Sequence, residues 1–225
     1  MCTELPTPRL ARPRRAPQPG PLVVGLVGRA GSGKSTIARA LAAAGARVLD
    51  ADRIGHAVTD GDPEVRAALA AEYGPDVYRP DGQLDRKRVA AKVFADREAL
   101  ARLNRLVHPR ILERLRAGIA DAAREGFTGA VLVDAALLAD WGFERECDAI
   151  LAVVAPPALQ VARLVAARGW SEAEARQRLE RARTNEAFAS IADEVIVNDR
   201  GESEAAEAAR AALARLFARR AGAGS

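Results

Sequence analysis

The segment Gly28-Arg29-Ala30-Gly31-Ser32-Gly33-Lys34-Ser35 limits what this chain can fold into more than any other stretch. It fits the pattern G-x-x-x-x-G-K-[ST], a glycine-rich turn that works only between a strand and a helix. Its neighbours supply both: Leu22-Val23-Val24-Gly25-Leu26-Val27 is an apolar run of strand length, and Thr36-Ile37-Ala38-Arg39-Ala40-Leu41 has a helical pattern. In such a loop the glycines let backbone N–H groups curl around phosphate oxygens, and the helix N-terminus adds its positive dipole end. Lys34 is placed to reach the β- and γ-phosphates, and the Ser35 hydroxyl to ligate Mg²⁺. The chain has only three lysines (34, 87 and 92) against 31 arginines, yet lysine stands where a compact point charge is wanted. Gly31, Ser32, Gly33, Lys34, Ser35 and Thr36 are therefore expected to hold a nucleoside triphosphate with Mg²⁺. A guanine nucleotide is not expected, because no Asn-Lys-x-Asp signature occurs.

With 225 residues the chain can bury a sizeable core. Alanine dominates the apolar set and aromatics are 4% of residues, which points to an Ala- and Leu-rich helical shell. The formal net charge is +4, and no basic run with interleaved aromatics occurs, so nucleic acid is not an expected partner. Cys2 and Cys147 are far apart and form no disulfide framework, which suits a reducing cytoplasm. No apolar run reaches the length of a membrane span, and no signal-peptide core follows Met1.

Residues 1–21 hold six prolines and four arginines and read as a disordered arm; residues 220–225 read as a frayed tail. Between them, short runs rich in Val, Leu and Ile alternate with helical stretches over 22–219. Strands are expected at Leu22–Val27, Arg47–Asp50, Ala130–Asp134, Ala149–Val154 and Glu194–Val197. Helices are expected over about 34–44, 63–73, 85–94, 97–106, 109–124, 157–168, 171–185 and 203–219, with Ser171 and Glu174 as a capping box, Ser203 as an N-cap and Pro157 in a first turn. The fold class is α/β: a P-loop NTPase fold whose five-stranded parallel sheet is flanked by helices, with ligands at the carboxyl ends of the strands. Two connections exceed simple crossovers. Residues 53–128 are expected to form a helical, acceptor-binding insertion, and residues 156–193 a helical lid.

Val48-Leu49-Asp50-Ala51-Asp52 ends the second strand with two carboxylates. If the strand stays extended, both lie on one face, where a carboxylate could take a proton from an acceptor hydroxyl. The bland alternative is that one of them caps the next helix. Asp134, ending the third strand, could serve the metal's water shell or be structural. His56 and His108 read first as structural, although His108-Pro109, opening a helix, could donate to an acceptor. Arg163 and Arg168 fall in the expected lid, where a guanidinium could neutralise charge on a transferred phosphoryl group. Arginine is so common in this chain that a solvated role is equally open.

The order and spacing of five landmarks resemble the dephospho-coenzyme A kinases. They are Gly25-Leu26-Val27-Gly28 leading into Gly31-Ser32-Gly33-Lys34-Ser35-Thr36; Val48-Leu49-Asp50-Ala51-Asp52-Arg53-Ile54; Asp81-Gly82-Gln83-Leu84-Asp85-Arg86; Leu106-Val107-His108-Pro109; and Ala192-Asp193-Glu194-Val195-Ile196-Val197-Asn198. The resemblance implies transfer of the ATP γ-phosphate to the 3′-hydroxyl of dephospho-CoA by a monomer or small homo-oligomer. It implies Asp52 as base or orienting group, Asp85, Arg86 and His108 facing the acceptor, and Arg163 in the ATP lid. The sequence departs from the family's usual residues at Val27 (Thr), at Ala136 and Asp140 (a Pro-Leu-Leu-x-Glu run), at Ala182 (Gln) and at Phe188 (Lys). A P-loop kinase for another small-molecule hydroxyl, and a non-catalytic ATP-binding protein on the same fold, are the alternative readings. Retention of both Lys34 and Asp52 counts against the second.

Overall fold

A computed structural model describes residues 20–94 and 97–222. Cys2 and nearly all of the expected arm over 1–21 lie outside them. Of the expected tail, residues 220–222 continue the last helix and 223–225 lie outside the described residues.

Five strands form one sheet: β1 (Leu22–Val27), β2 (Arg47–Asp50), β3 (Ala130–Asp134), β4 (Ala149–Val154) and β5 (Glu194–Val197), in the spatial order β2-β3-β1-β4-β5. β1 is central and runs parallel to β3 and β4, with Leu22 opposite Ala130 and Val24 opposite Ala149; β5 runs parallel to β4. Burial on both faces explains their unbroken apolar runs, since β1 and β4 are buried at every residue. On one face Leu22, Val24 and Leu26 pack with Ile37 and Leu41 of α1 (Lys34–Ala43) and with Ala205, Ala209, Ala212 and Leu216 of α9 (Glu202–Gly222). The alanine stripe, spaced four, three and four apart, lets α9 lie close to the sheet. Glu194 of β5, only 8% exposed, accepts from Arg215 at 2.8 and 3.0 Å and from Arg219, so α9 is also tied to the sheet by charge. On the other face a Cβ at Gly25 would sit 2.5 Å from Ile150 Cδ1, so a side chain there would have to displace that of Ile150.

The chain divides into two compact units: one runs to Leu49 and resumes at Asp121, and the other is Asp50–Ala120. The second unit is built from α2 (Ala51–Gly61), α3 (Pro63–Tyr73), a 3₁₀ turn (Pro75–Val77), α4 (Arg86–Phe94) and the part of α5 (Arg97–Arg124) that precedes Asp121. Its core includes Val58, Val65, Leu69, Val77, Leu84, Ile111 and Leu115. Asp62 caps α3 by accepting from Glu64 and Val65 N–H at 3.1 and 3.2 Å, with Pro63 at the first position.

Four expectations are corrected. The strand ending at Asp50 does not stay extended: α2 begins at Ala51, so Asp50 and Asp52 do not alternate along a strand. His108-Pro109 does not open a helix, because α5 passes through Pro109. Proline forfeits a helical hydrogen bond, but Val107, Ile111 and Leu115 form one buried stripe across the break and hold the helix continuous. The expected helix over 171–185 is two, α7 (Glu172–Glu180) and α8 (Asn185–Ala189), because the Thr184 hydroxyl accepts from Ala187 N–H at 3.1 Å and starts a new helix. The last helix begins at Glu202, so Ser203 is not its N-cap. The capping box at Ser171 and Glu174 is present, and Pro157 opens α6 (Pro157–Arg168).

Candidate active site

The loop between β1 and α1 is held in shape from behind. Gly31 and Gly33 have φ of 74° and 91°, the left-handed region that glycine tolerates. A Cβ at Gly31 would lie 2.6 Å from the Gln160 carbonyl oxygen, and one at Gly33 would run into Asn198 Nδ2. Gly33 caps α1 without a side-chain hydrogen bond, and the first turn carries no carboxylate, so the helix end is left to an anion. Ser32 is fully buried and its Oγ has no hydrogen-bond partner, a polar atom the chain itself leaves unsatisfied inside the cradle. Lys34 is half-buried and Ser35 exposed. These features fit a polyphosphate.

Arg163 falls inside the 156–193 segment expected to form a lid. It lies on α6, and its guanidinium donates to Asn198 O at 3.2 Å and Oδ1 at 3.3 Å, and to Gly31 O and Ser32 O at 3.4 Å. A half-buried guanidinium reaches these carbonyls because α6 starts directly after β4 and packs against the loop at Gly31. Arg168, one turn further on, is exposed.

Four residues here were not singled out individually by sequence reasoning. Asn198 Nδ2 donates to Ser32 O at 2.8 Å. Gln160, fully buried, donates to Asn185 Oδ1 at 3.0 Å, and Asn185 donates to Ala155 O at 2.8 Å. Arg29, inside the glycine-rich motif, donates to Leu179 O in α7. Position gave a signal for two of them, since Asn198 directly follows β5 and Arg29 stands within the loop, but side-chain direction is not legible in a motif.

α6 and α7 form a helical pair, with Val161 and Leu164 packed on Ala175 and Leu179. Arg183, between α7 and α8, pairs with Asp140 at 2.5 Å, so the carboxylate at that departure has a partner of its own. Val27 is fully buried and Phe188 is 4% exposed, so at both positions packing replaces a polar group; Ala182 is exposed.

In the second unit, Asp50 is the N-cap of α2 and accepts from Arg53 N–H at 3.0 Å. Asp52 lies in the first turn of α2, exposed, and His56 follows on the same helix, also exposed. Asp85 and Arg86, implied to face an acceptor, both make hydrogen bonds within the unit. Asp85 caps α4, accepting from Arg88 N–H at 3.1 Å, and that bond holds its carboxyl below the usual range. Arg86 donates to Asp60 Oδ2 at 2.9 Å, to Thr59 Oγ1 at 3.1 Å and to Leu84 O at 3.3 Å. Burial works to raise the Asp60 carboxyl, but the Leu84 N–H and Arg86 outweigh it and hold it low. His108 is half-buried in α5, and desolvation lowers its pKa, which favours the neutral imidazole at physiological pH. Among the described residues no group of three or more His, Cys, Asp or Glu is placed to hold a metal ion. No helix among them is long and apolar enough to cross a membrane.

A central parallel sheet, a glycine loop closed on a helix N-terminus and a helical insertion after the second strand define a P-loop nucleotide-binding protein of the small-molecule kinase type. Comparison with known proteins narrows the class. Residues 22–204 match the sequence profile described as Dephospho-CoA kinase. The dephospho-CoA kinase of Thermobifida fusca is 42% identical over 183 residues, 81% of this chain and 90% of that protein. The crystal structure of TT1252 from Thermus thermophilus is 31% identical, with a TM-score of 0.75 over 88% of this chain and 98% of that one. Dephospho-CoA kinase from Campylobacter jejuni, at 19% identity and a TM-score of 0.60 over 87% of this chain and 97% of that one, shares the fold. The chain belongs to the dephospho-CoA kinase family.

Proposed function

We propose that this protein transfers the γ-phosphate of ATP to the 3′-hydroxyl of dephospho-CoA, giving coenzyme A and ADP. Family membership across residues 22–204, with the phosphate-loop pattern complete from Gly28 to Ser35, carries this reading. The Lys34 ammonium neutralises charge that builds on the β- and γ-phosphates as the bond to the leaving ADP breaks. Asp52 accepts the proton of the attacking hydroxyl or orients it; its exposure at the start of α2 leaves the carboxylate accessible. His108, kept neutral by burial, offers the acceptor a hydrogen bond. Arg86 serves that end of the reaction indirectly by tying α4 to α2, and Asp85 by capping α4.

Ser35 would hold Mg²⁺ through its hydroxyl. The lack of a carboxylate cluster among the described residues suits an ion bound mainly by phosphates and water. Bound there, Mg²⁺ would supply charge neutralisation across the phosphates. Arg163 adds a positive charge behind the loop. The same reading makes the protein a cytoplasmic monomer or small homo-oligomer that needs no nucleic acid.

The test is ATP-dependent phosphorylation of dephospho-CoA beside a panel of sugar and nucleoside alcohols, with products identified by mass. Turnover of dephospho-CoA above the panel is expected; ATP consumption with another alcohol alone would redirect the assignment. Asp52→Asn keeps the shape of the side chain and should keep ATP affinity while lowering turnover about a hundredfold or more. Wild-type turnover in that variant, or a loss confined to ATP binding, would remove Asp52 from the reaction.

A further inference from the structure

Asn198 directly follows β5 and is 4% exposed. Its N–H donates to Val154 O at 2.8 Å, which carries the β4–β5 ladder one residue past the strand and fixes its backbone. Its side chain then spans the base of the phosphate loop, with Nδ2 on Ser32 O at 2.8 Å and Oδ1 receiving Arg163 at 3.3 Å. Arg163 lies in turn against Gly31 O and Ser32 O, both at 3.4 Å.

The peptide unit is planar and trans, so a carbonyl held in one direction aims the next residue's N–H in the other. The Ser32 N–H is already used, donating to Arg29 O at 3.2 Å to close the turn. Pinning the Ser32 carbonyl therefore sets the direction of one particular donor, the Gly33 N–H, which opens the helix N-terminus. Glycine at 33 suits this arrangement, since a Cβ there would collide with the Asn198 amide.

We propose that Asn198 is a positioning residue for phosphoryl transfer: by holding the Ser32 carbonyl it presets the Gly33 N–H to receive the ATP polyphosphate, with Arg163 bracing the amide from its other side. The proposal rests on the reading that this loop holds the triphosphate of ATP. It reaches that ligand without contact between Asn198 and the nucleoside.

Asn198→Asp tests it most directly. The carboxylate keeps the shape and still accepts from Arg163, but it sets an oxygen against the Ser32 carbonyl where a donor stood. Asn198→Ala removes the donor without adding charge. Both should raise the ATP Kd and KM about tenfold or more, as expected when a buried carbonyl loses its 2.8 Å donor and keeps only the 3.4 Å contact from Arg163. Both should weaken inorganic tripolyphosphate to the same degree by calorimetry, and leave the dephospho-CoA KM within about twofold. Measurements are made on the full chain, well below each variant's melting temperature.

Unchanged affinity for ATP and tripolyphosphate in either folded variant would overturn the proposal. So would a loss for ATP alone, which would place Asn198 on the nucleoside, or a fall in kcat with both KM values unchanged, which would mark a residue that only stabilises the fold. Because the binding arms use no acceptor, they stand or fall separately from turnover of dephospho-CoA.

Discussion

Position 31 lies at a place where the generic phosphate-loop pattern accepts any residue, yet here it should accept only glycine. At Gly31→Ala the backbone must hold a φ of 74°, which costs an L-residue about 1–2 kcal/mol. The new methyl would also sit 2.6 Å from the Gln160 carbonyl oxygen, 3.0 Å from its Cα and 3.1 Å from its carbonyl carbon. All three atoms belong to the backbone of α6, so no side chain can swing aside, and relief of the overlap costs about 1–3 kcal/mol more. The total is about 2–5 kcal/mol. If α6 stays in place, the cost appears as lost stability; if the loop moves instead, its amides are misaimed and ATP affinity falls. Gly45→Ala is the control, with φ at 95° and nothing within 4 Å of the added atom, so it carries the conformational cost alone. Urea unfolding and calorimetric ATP titration of both variants give the sum of the two losses. Gly31→Ala should exceed Gly45→Ala by about 1–3 kcal/mol in that sum. Equal sums would show that α6 does not wall the loop.

Two further outcomes are expected. Lys34→Ala should lower turnover by at least about a hundredfold in a protein whose circular dichroism is unchanged, because a point charge on the transferring phosphate is lost; near-normal turnover would refute its role. His108 binds its proton less readily folded than unfolded, since burial lowers its pKa from 6.5. Between the lowered value and 6.5 the unfolded chain therefore carries more protons, so stability is complete above about pH 7.5 and declines as pH falls through that window. Urea unfolding at pH 7.5 and 5.5 should show a smaller drop for His108→Gln than for the parent chain, and equal drops would exclude the imidazole as the source.

The strands were legible because each is an apolar run long enough to span a buried sheet, and all five bounds follow the sequence. Helix junctions were harder to read. Asp50-Ala51-Asp52 carries a strand-like beginning and a cap signal in the same three residues, and the capping hydrogen bond to Arg53 wins. Pro109 is a reliable local breaker that here yields to a stripe buried on both sides. At the site, the residues that touch phosphate have a motif because their spacing is local. Asn198 and Arg163 act on Ser32 from more than a hundred residues away, and only the packing of β4, α6 and β5 brings them there. Arg86 shows the converse, a landmark residue whose charge is absorbed by Asp60 and the end of α2.

The pairing of Leu22 with Ala130 and of Val24 with Ala149 also bears on how the chain is made. The central strand is synthesised before both of its neighbours, which come off the ribosome only after the whole of Asp50–Ala120 has followed it. That intervening segment is a contiguous helical unit of short-range contacts, able to organise while β1 still waits with its edges unpaired. The phosphate loop, suspended between β1 and braces supplied by α6 and Asn198, consequently has its full set of supports only after segments translated well behind it have arrived.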